Sequence, residues 1–516
     1  HRNKETSDIK GNPRKNRFAR HILTERLPPR TNGSVVQNQI GQTRFWMKKP
    51  ESGQRNYGKE HTMQHLTLDL TRSAGKVKPM HAVNNGPVYK FTQDQRISNL
   101  DAFRDAGIPY ARTHDASFYA TYGGEHTVDV HAIFPDFSKD PCDPASYDFT
   151  LTDEYLRVID FAGVRTFYRL GSKIEHWPVK YGTLPPADFH KWAVICEHIM
   201  RHYLEGWADG FRYDMAYWEI WNEPDGAADD ADIVDKKTWG GTRAQFFELY
   251  DTAARHLKSC FPQCKIGGPA VCYPLTPWVN AFLAHLQESG APFDFFSWHC
   301  YCRDPHEIER LDRETRVLLD ECGFTETESI LNEWNYVRGW TDNDWLHSLR
   351  AEKSLQGASF VAGTMALSQY QPLDLLMYYD ARPCPMNGMF ATDFVCDKLK
   401  GYYPFWMFGK LYRLGDAVPV ESDDPEIMAC GAKNGDFAAA MVTYYKDTDT
   451  APEKEVRITF AGLPAGAHKA AFYLLDEEHD AALIREEIVT GQTVSFYLKM
   501  RLFTTIFVDV SPYTEE

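Results

Sequence analysis

The sequence predicts an α/β fold, a (β/α)8 barrel followed by an accessory antiparallel, β-sandwich-like domain. Three observations carry that prediction. Between residues 79 and 415, strand-like apolar runs alternate with helix-period segments eight times. Two of those runs close on Asn-Glu: Tyr217-Trp218-Glu219-Ile220-Trp221-Asn222-Glu223-Pro224 and Ile330-Leu331-Asn332-Glu333-Trp334. From about residue 416 the hydrophobic period becomes two.

Taken in order, residues 1–60 form a basic, polar leader with 14 Lys/Arg against 5 Asp/Glu, a composition that favours a loosely packed segment. In the segment 61–78, Leu66, Leu68 and Leu70 alternate with Thr67 and Asp69 as in a half-buried strand, which can join the accessory sheet. The barrel follows over 79–415. Met80–Asn84 reads as its first strand, residues 93–106 as a helix, and Ile108–Thr113 as the second strand, tipped by Arg112, His114 and Asp115. A long loop runs through Phe137, Pro141 and Pro144; then come a helix over 153–162, a strand over 165–170 and a helix over 188–204. Tyr217–Trp221 is the fourth strand, and Phe246, Leu249, Tyr250, Ala253 and Leu257 keep helical spacing behind it. Short strands are expected at 265–267, 293–298, 329–331 and 373–378, with helices at 278–289, from 305, at 351–368 and at 402–414. In the accessory domain (416–516), strands are expected at 437–445, 456–460, 470–475, 494–500 and 503–510.

Net charge is −16, and beyond residue 60 the balance is 42 Lys/Arg against 67 Asp/Glu. An acidic body argues against nucleic acid or an anionic membrane as partner. No apolar run reaches the roughly 20 residues of a membrane span. The eleven cysteines are an odd number, and Cys260-x3-Cys264 and Cys300-x-Cys302 lack the spacing of a structural zinc site. Mostly apolar surroundings make them reduced core residues and lean towards a reducing, cytoplasmic compartment. No cofactor or metal is expected, and homo-oligomerisation is left open.

Glu223 and Glu333 stand 110 residues apart (333 minus 223). At roughly 30 residues per βα unit, that is three to four units, which puts them across the mouth of a barrel of the TIM type. Pro224 should hold Glu223 extended at the strand tip. Two facing carboxylates can cleave a glycoside, one protonating the leaving oxygen while the other attacks the anomeric carbon. The competing structural reading is a strand-end acid that caps a helix or pairs with a lysine.

The assembled pattern resembles glycoside hydrolase family 39, the β-xylosidases and α-L-iduronidases of the Glu/Glu barrel clan. The matching stretches are Tyr110-Ala-Arg112-Thr-His114, Tyr147-Asp-Phe149-Thr, Trp221-Asn222-Glu223-Pro224, Ser297-Trp298-His299-Cys300-Tyr301 and Asn332-Glu333-Trp334. The resemblance implies a retaining mechanism, with Glu223 as acid/base and Glu333 as nucleophile. It implies that Arg112 and Tyr301 keep Glu333 ionised, that Asn222 meets the sugar 2-hydroxyl, and that His114 and His299 meet ring hydroxyls. Structural rivals are a salt-bridge role for Arg112 and satisfied core histidines. Trp218 and Trp221 are candidate apolar walls raising the pKa of Glu223, and Trp177, Trp334 and Trp340 are candidate stacking platforms. The substrate expected is a terminal neutral glycoside, a β-xyloside or related pentoside, because only Arg303 and Lys173 offer themselves to a uronate carboxylate. Met377-Tyr378-Tyr379-Asp380 departs from the family's wording on strand eight and leaves an arabinoside, glucoside, galactoside or α-L-iduronide as alternatives. Outside this class stand an inactive carbohydrate-binding barrel and a metal-dependent hydrolase built on His299, Cys300 and Cys302.

Overall fold

The computed structural model describes residues 63–91, 96–116, 124, 126–392 and 396–514. The basic leader at 1–60 lies outside them. Eight parallel strands close a barrel in chain order: β1 (Ala82–Asn84), β2 (Tyr110–Thr113), β3 (Arg165–Leu170), β4 (Tyr217–Ile220), β5 (Lys265–Val271), β6 (Phe295–Cys302), β7 (Glu328–Tyr336) and β8 (Leu375–Tyr378). Each is followed by a helix: α1 (Leu100–Ala106), α2 (Thr150–Phe161), α3 (Phe189–Leu204), α4 (Arg243–Cys260), α5 (Pro277–Ser289), α6 (Pro305–Glu321), α7 (Leu355–Ser368) and α8 (Tyr403–Leu414). Local chemistry sets several boundaries. Thr242 and Gln245 form a reciprocal capping box at the start of α4, and Gly290 ends α5 at φ 63°.

Strand alternation sorts the side chains into two layers. Inward residues Ala82, Phe167, Tyr217, Phe295, Ile330, Leu375 and Met377 plug the lower barrel, while Trp218, Ile220, Trp298 and Trp334 face the helices. Truncating a plug residue such as Phe295 to alanine would cost about 3–5 kcal/mol. Above the plug the inward positions turn polar, at Arg112, Glu219, Ser297 and Asn332, all fully buried.

Four local expectations are corrected. Residues 96–98 form a short strand paired with Tyr89–Phe91, so α1 starts only at Leu100; Asn99 Oδ1 accepts the Val88 N–H at 2.7 Å and closes that hairpin. The helix expected over 351–368 is broken, with Asp342–Ala351 before it and Ser354 capping α7 through the Gln356 N–H. β5 does not stop at its glycines but runs to Val271, with a register shift against β6 between Gly268 and Val271. A Cβ on Gly267 would lie 2.3 Å from the Phe295 carbonyl oxygen, so glycine alone permits this approach. β7 is extended to Tyr336 and carries a register shift between Leu331 and Glu333.

The chain from 416 onward, together with the leading strand Gln64–Asp69, builds two facing sheets. One has four strands, with Gln64–Asp69 between Val420–Ser422 and Lys454–Ala461, and the other has six. The leading strand runs parallel to Lys454–Ala461, so one pair in an otherwise antiparallel domain is parallel. Leu66, Leu68, Ile458, Phe460, Phe496 and Val508 fill the core between the sheets. The strand Asp480–Thr490 escapes sequence reading because it is an edge strand, charged and largely exposed. Sandwich and barrel pack together through α7, where Ser359 Oγ meets Thr443 Oγ1 at 2.9 Å. No helix among the described residues is long and apolar enough to cross a membrane, and all eleven cysteines are free thiols.

Candidate active site

The polar upper layer of the barrel converges on Glu223 and Glu333. Glu223 leaves the tip of β4 at φ 48°, with Trp221 at φ 77°, so the expectation that Pro224 holds it extended is overturned. Left-handed backbone here costs on the order of 1 kcal/mol. The register shift in β5 helps to hold it, because the Ala270 carbonyl receives the Glu223 N–H at 2.8 Å. On β7, Leu331 is paired with Trp298 and Glu333 with His299, which leaves Asn332 as an extra residue. This bulge allows two consecutive side chains to point inward, where a regular strand allows one. Asn332 Nδ2 donates to Glu219 Oε1 at 2.5 Å, and Glu333 enters the centre of the mouth.

His299 lies between the two acids. Its Nδ1 is 2.8 Å from Glu223 Oε1 and 3.5 Å from Glu333 Oε2. One ligand-type atom from each of Glu223, His299 and Glu333 lies within 4.8 Å of the others. The two carboxyls therefore share one pocket. Glu333 Oε1 accepts from Arg112 Nη1 at 2.8 Å and Oε2 from the Tyr301 hydroxyl at 2.8 Å, with His114 Nε2 at 3.6 Å. Burial alone would raise the pKa of Glu333, but His299, His114, Arg112 and the Tyr301 hydroxyl outweigh it and hold it at about 2. Burial would likewise depress His299, yet the two carboxylates raise its pKa above the usual imidazole value. Tyr301 stays a neutral donor, raised first by burial and then by Glu333.

Sequence reasoning missed a third glutamate of the site, Glu219, which lies within the β4 motif. Glu219 is fully buried and accepts from Arg112 Nε at 2.7 Å and Ser297 Oγ at 2.6 Å. Arg112 also donates to Asn84 Oδ1 at 3.0 Å and to Asn222 Oδ1 at 2.7 Å. It thus ties four strand tips together. The signal was present in the sequence, since Glu219 has the parity of Tyr217, an inward position. Asp225 was missed as well; burial pushes its carboxyl up to about 6, although it accepts the Cys272 N–H at 3.0 Å.

The candidate walls behave differently from expectation. Trp218 stacks on Tyr168, and Trp221 packs edge-on against Trp239, both in the layer between strands and helices. Trp334 is fully buried against Tyr378 and Phe360, so it presents no face to a sugar. Trp177 and Trp340 are exposed. A polar wall instead rises from β1, β2 and β8. Arg382 pairs with Asp115 at 3.0 Å and Asp380 at 2.6 Å, and Lys173 lies 3.5 Å from Asp115. Arg303 points away from it, to Asp447 of the sandwich at 3.6 Å.

His299 reaches inward, whereas Cys300 lies in the outer layer, so these two do not converge on a metal with Cys302. Two clusters away from the carboxylate pair have metal-ligand character, His126–Asp129–His131 and Glu197–His256–Cys260. Within the mouth, Asn222 Nδ2, His114 Nε2 and His299 Nε2 are buried polar atoms with no hydrogen-bond partner among the described residues. Each such atom costs about 1–3 kcal/mol. Clustered around two carboxyls, such unpartnered groups can bond a hydroxyl-rich ligand.

Residues 62–317 match the sequence model of glycosyl hydrolases family 39, a stretch that includes Glu223 and ends before Glu333. The chain is 28% identical over 209 residues to a β-xylosidase of Geobacillus stearothermophilus, covering 37% of each chain. It is 28% identical over 254 residues to a β-xylosidase of Caldicellulosiruptor saccharolyticus, covering 46% of each. The matches thus span less than half the length of these relatives. A solved glucosidase from Croceicoccus marinus superposes with a TM-score of 0.73 at 22% identity, over 88% of this chain and 100% of that one, a likeness of fold.

Proposed function

We propose that this chain, which belongs to glycosyl hydrolases family 39, is a retaining glycoside hydrolase acting on a terminal neutral glycoside, a β-xyloside or related pentoside. The observation that carries the reading is the approach of the Glu223 and Glu333 carboxyls to within 4.8 Å around one imidazole. Retaining enzymes hold this pair about 5–5.5 Å apart, too close to seat a water between acid and anomeric carbon.

Glu333, held ionised by Arg112 and Tyr301, attacks the anomeric carbon. The glycosidic C–O bond breaks as Glu223 gives its proton to the leaving oxygen, which departs as an alcohol. Glu223, now a carboxylate, takes a proton from water, whose oxygen attacks the same carbon and releases Glu333. Two inversions give net retention. Asn222 Nδ2 would donate to the sugar 2-hydroxyl, while His114 and His299 would meet its neighbours. Glu219 and Arg112 act as positioning residues. Lys173 and Arg382 are matched by Asp115 and Asp380, which leaves no surplus positive charge for a uronate and favours a neutral ring.

The test is turnover of a panel of nitrophenyl pyranosides and furanosides, with product anomers followed by NMR. A neutral pentoside hydrolysed with retention is expected. Inversion would reject the mechanism, a uronide preference would reject the substrate class, and tight sugar binding without turnover would leave only a binding barrel.

A further inference from the structure

One aromatic pair, Trp340 exposed and Trp345 half-buried, adjoins the site without entering its hydrogen-bond network. Trp340, in the segment after β7, is 57% exposed. Its ring meets Tyr301 edge-on at 5.1 Å between centroids and is backed by Trp345, stacked at 5.3 Å and 23°. Tyr301 is the residue whose hydroxyl holds Glu333. Trp340 therefore lies one ring outward from a group in contact with the nucleophile. Exposing a large ring in this way forgoes burial that a core position would supply, and the stack with Trp345 fixes its plane.

The two sides of the mouth differ in chemistry. The β1, β2 and β8 side carries Arg382, Asp115, Asp380 and His114, hydrogen-bonding groups suited to a ring gripped by its hydroxyls. The β6–β7 side carries His299, bonded to Glu223, then Tyr301 two residues on and facing the same way, and then the tryptophans. The leaving group departs on the side of the proton donor. We infer that Trp340, supported by Trp345, is a stacking platform for the ring of the leaving group, so that the enzyme favours glycosides whose aglycone is itself a sugar ring or an aryl group. This inference rests on the glycosidase reading and adds to it the class of aglycone.

Substrates with and without an aglycone ring test it. Trp340→Ala should raise KM for xylobiose about tenfold, equivalent to about 1.4 kcal/mol. It should raise KM for nitrophenyl xyloside in the same direction and leave xylosyl fluoride, which has no aglycone ring, unchanged. Trp340→Phe should retain most of the wild-type KM. Equal losses on fluoride and disaccharide, or no change on either, would overturn the platform while leaving the hydrolase reading intact. Absence of turnover by the wild-type chain would instead overturn the hydrolase reading. Tryptophan fluorescence then still decides the platform: tighter binding of xylobiose than of xylose, lost in Trp340→Ala, supports it, and equal binding of both sugars overturns it.

Discussion

Two strand tips, β4 and β7, each deliver a glutamate into the same pocket, and their surroundings differ. The Glu223 side chain is 17% exposed and meets the His299 imidazole and the Cys272 thiol. The Glu333 side chain is 6% exposed and is met by Arg112, Tyr301, His114 and His299. A carboxyl ringed by cations and donors is held charged and suits a nucleophile, whereas the other stands nearer solvent, with fewer donors and open to an incoming group. The lesson is that equivalent sequence motifs, Asn222-Glu223 and Asn332-Glu333, acquire different chemistry from what the neighbouring strands bring to them.

The largest expected effect breaks this comparison directly. Glu333→Ala should reduce kcat by more than about 10⁴-fold on every glycoside, since no group replaces the nucleophile. Glu223→Ala should cost about 10²–10⁴-fold on substrates with poor leaving groups, far less on activated phenyl glycosides, and azide should restore rate. Equal losses on both leaving-group classes in the Glu223 variant would show that the roles are misassigned.

Next in size is the support beneath both tips. Arg112 is sandwiched between Glu219 and Glu333 with no solvent access. Glu219→Gln removes one partner of a buried pair and should lower unfolding free energy by about 3–5 kcal/mol in urea titrations. It should also shift the pH–rate profile, because Arg112 then answers to Glu333 alone. A stability loss with an unmoved profile would reduce Glu219 to packing.

The smallest effect contrasts Glu333 with Glu352, a buried glutamate whose two carboxyl oxygens have no hydrogen-bond partner among the described residues. Burial pushes Glu352 up to about 8, whereas Glu333 sits at about 2. The signs are opposite. Glu333 contributes stability that is present above its ordinary pKa of 4.5 and lost as pH falls towards about 2. Glu352 contributes stability that is present below 4.5 and lost as pH rises towards about 8. Glu352→Gln should therefore gain Tm relative to wild type as buffer pH rises from 5 to 8, with little change near pH 4. A constant offset across that range would refute the assignment.

Much of this architecture is legible along the chain. Eight alternations of period, the two Asn-Glu endings and their separation are local or nearly local features, and each follows from side-chain pattern and chain geometry. The sandwich strands with clean alternation, such as Lys454–Ala461 with its buried Val456, Ile458 and Phe460, are equally plain. Asp480–Thr490 is not, because an edge strand buries too little to leave a pattern.

What pattern leaves open is how consecutive residues share one interior. Asn332 and Glu333 both face inward only because β7 bulges against β6, and that register depends on residues more than thirty positions away. The left-handed turn at Glu223 depends on a carbonyl of β5, and the polar wall depends on Arg382, after β8, returning to Asp115, after β2. Residue types, their order and the two acids are written in the chain. Pairing register, and with it what surrounds each acid, arises from long-range contacts that no short window of sequence contains.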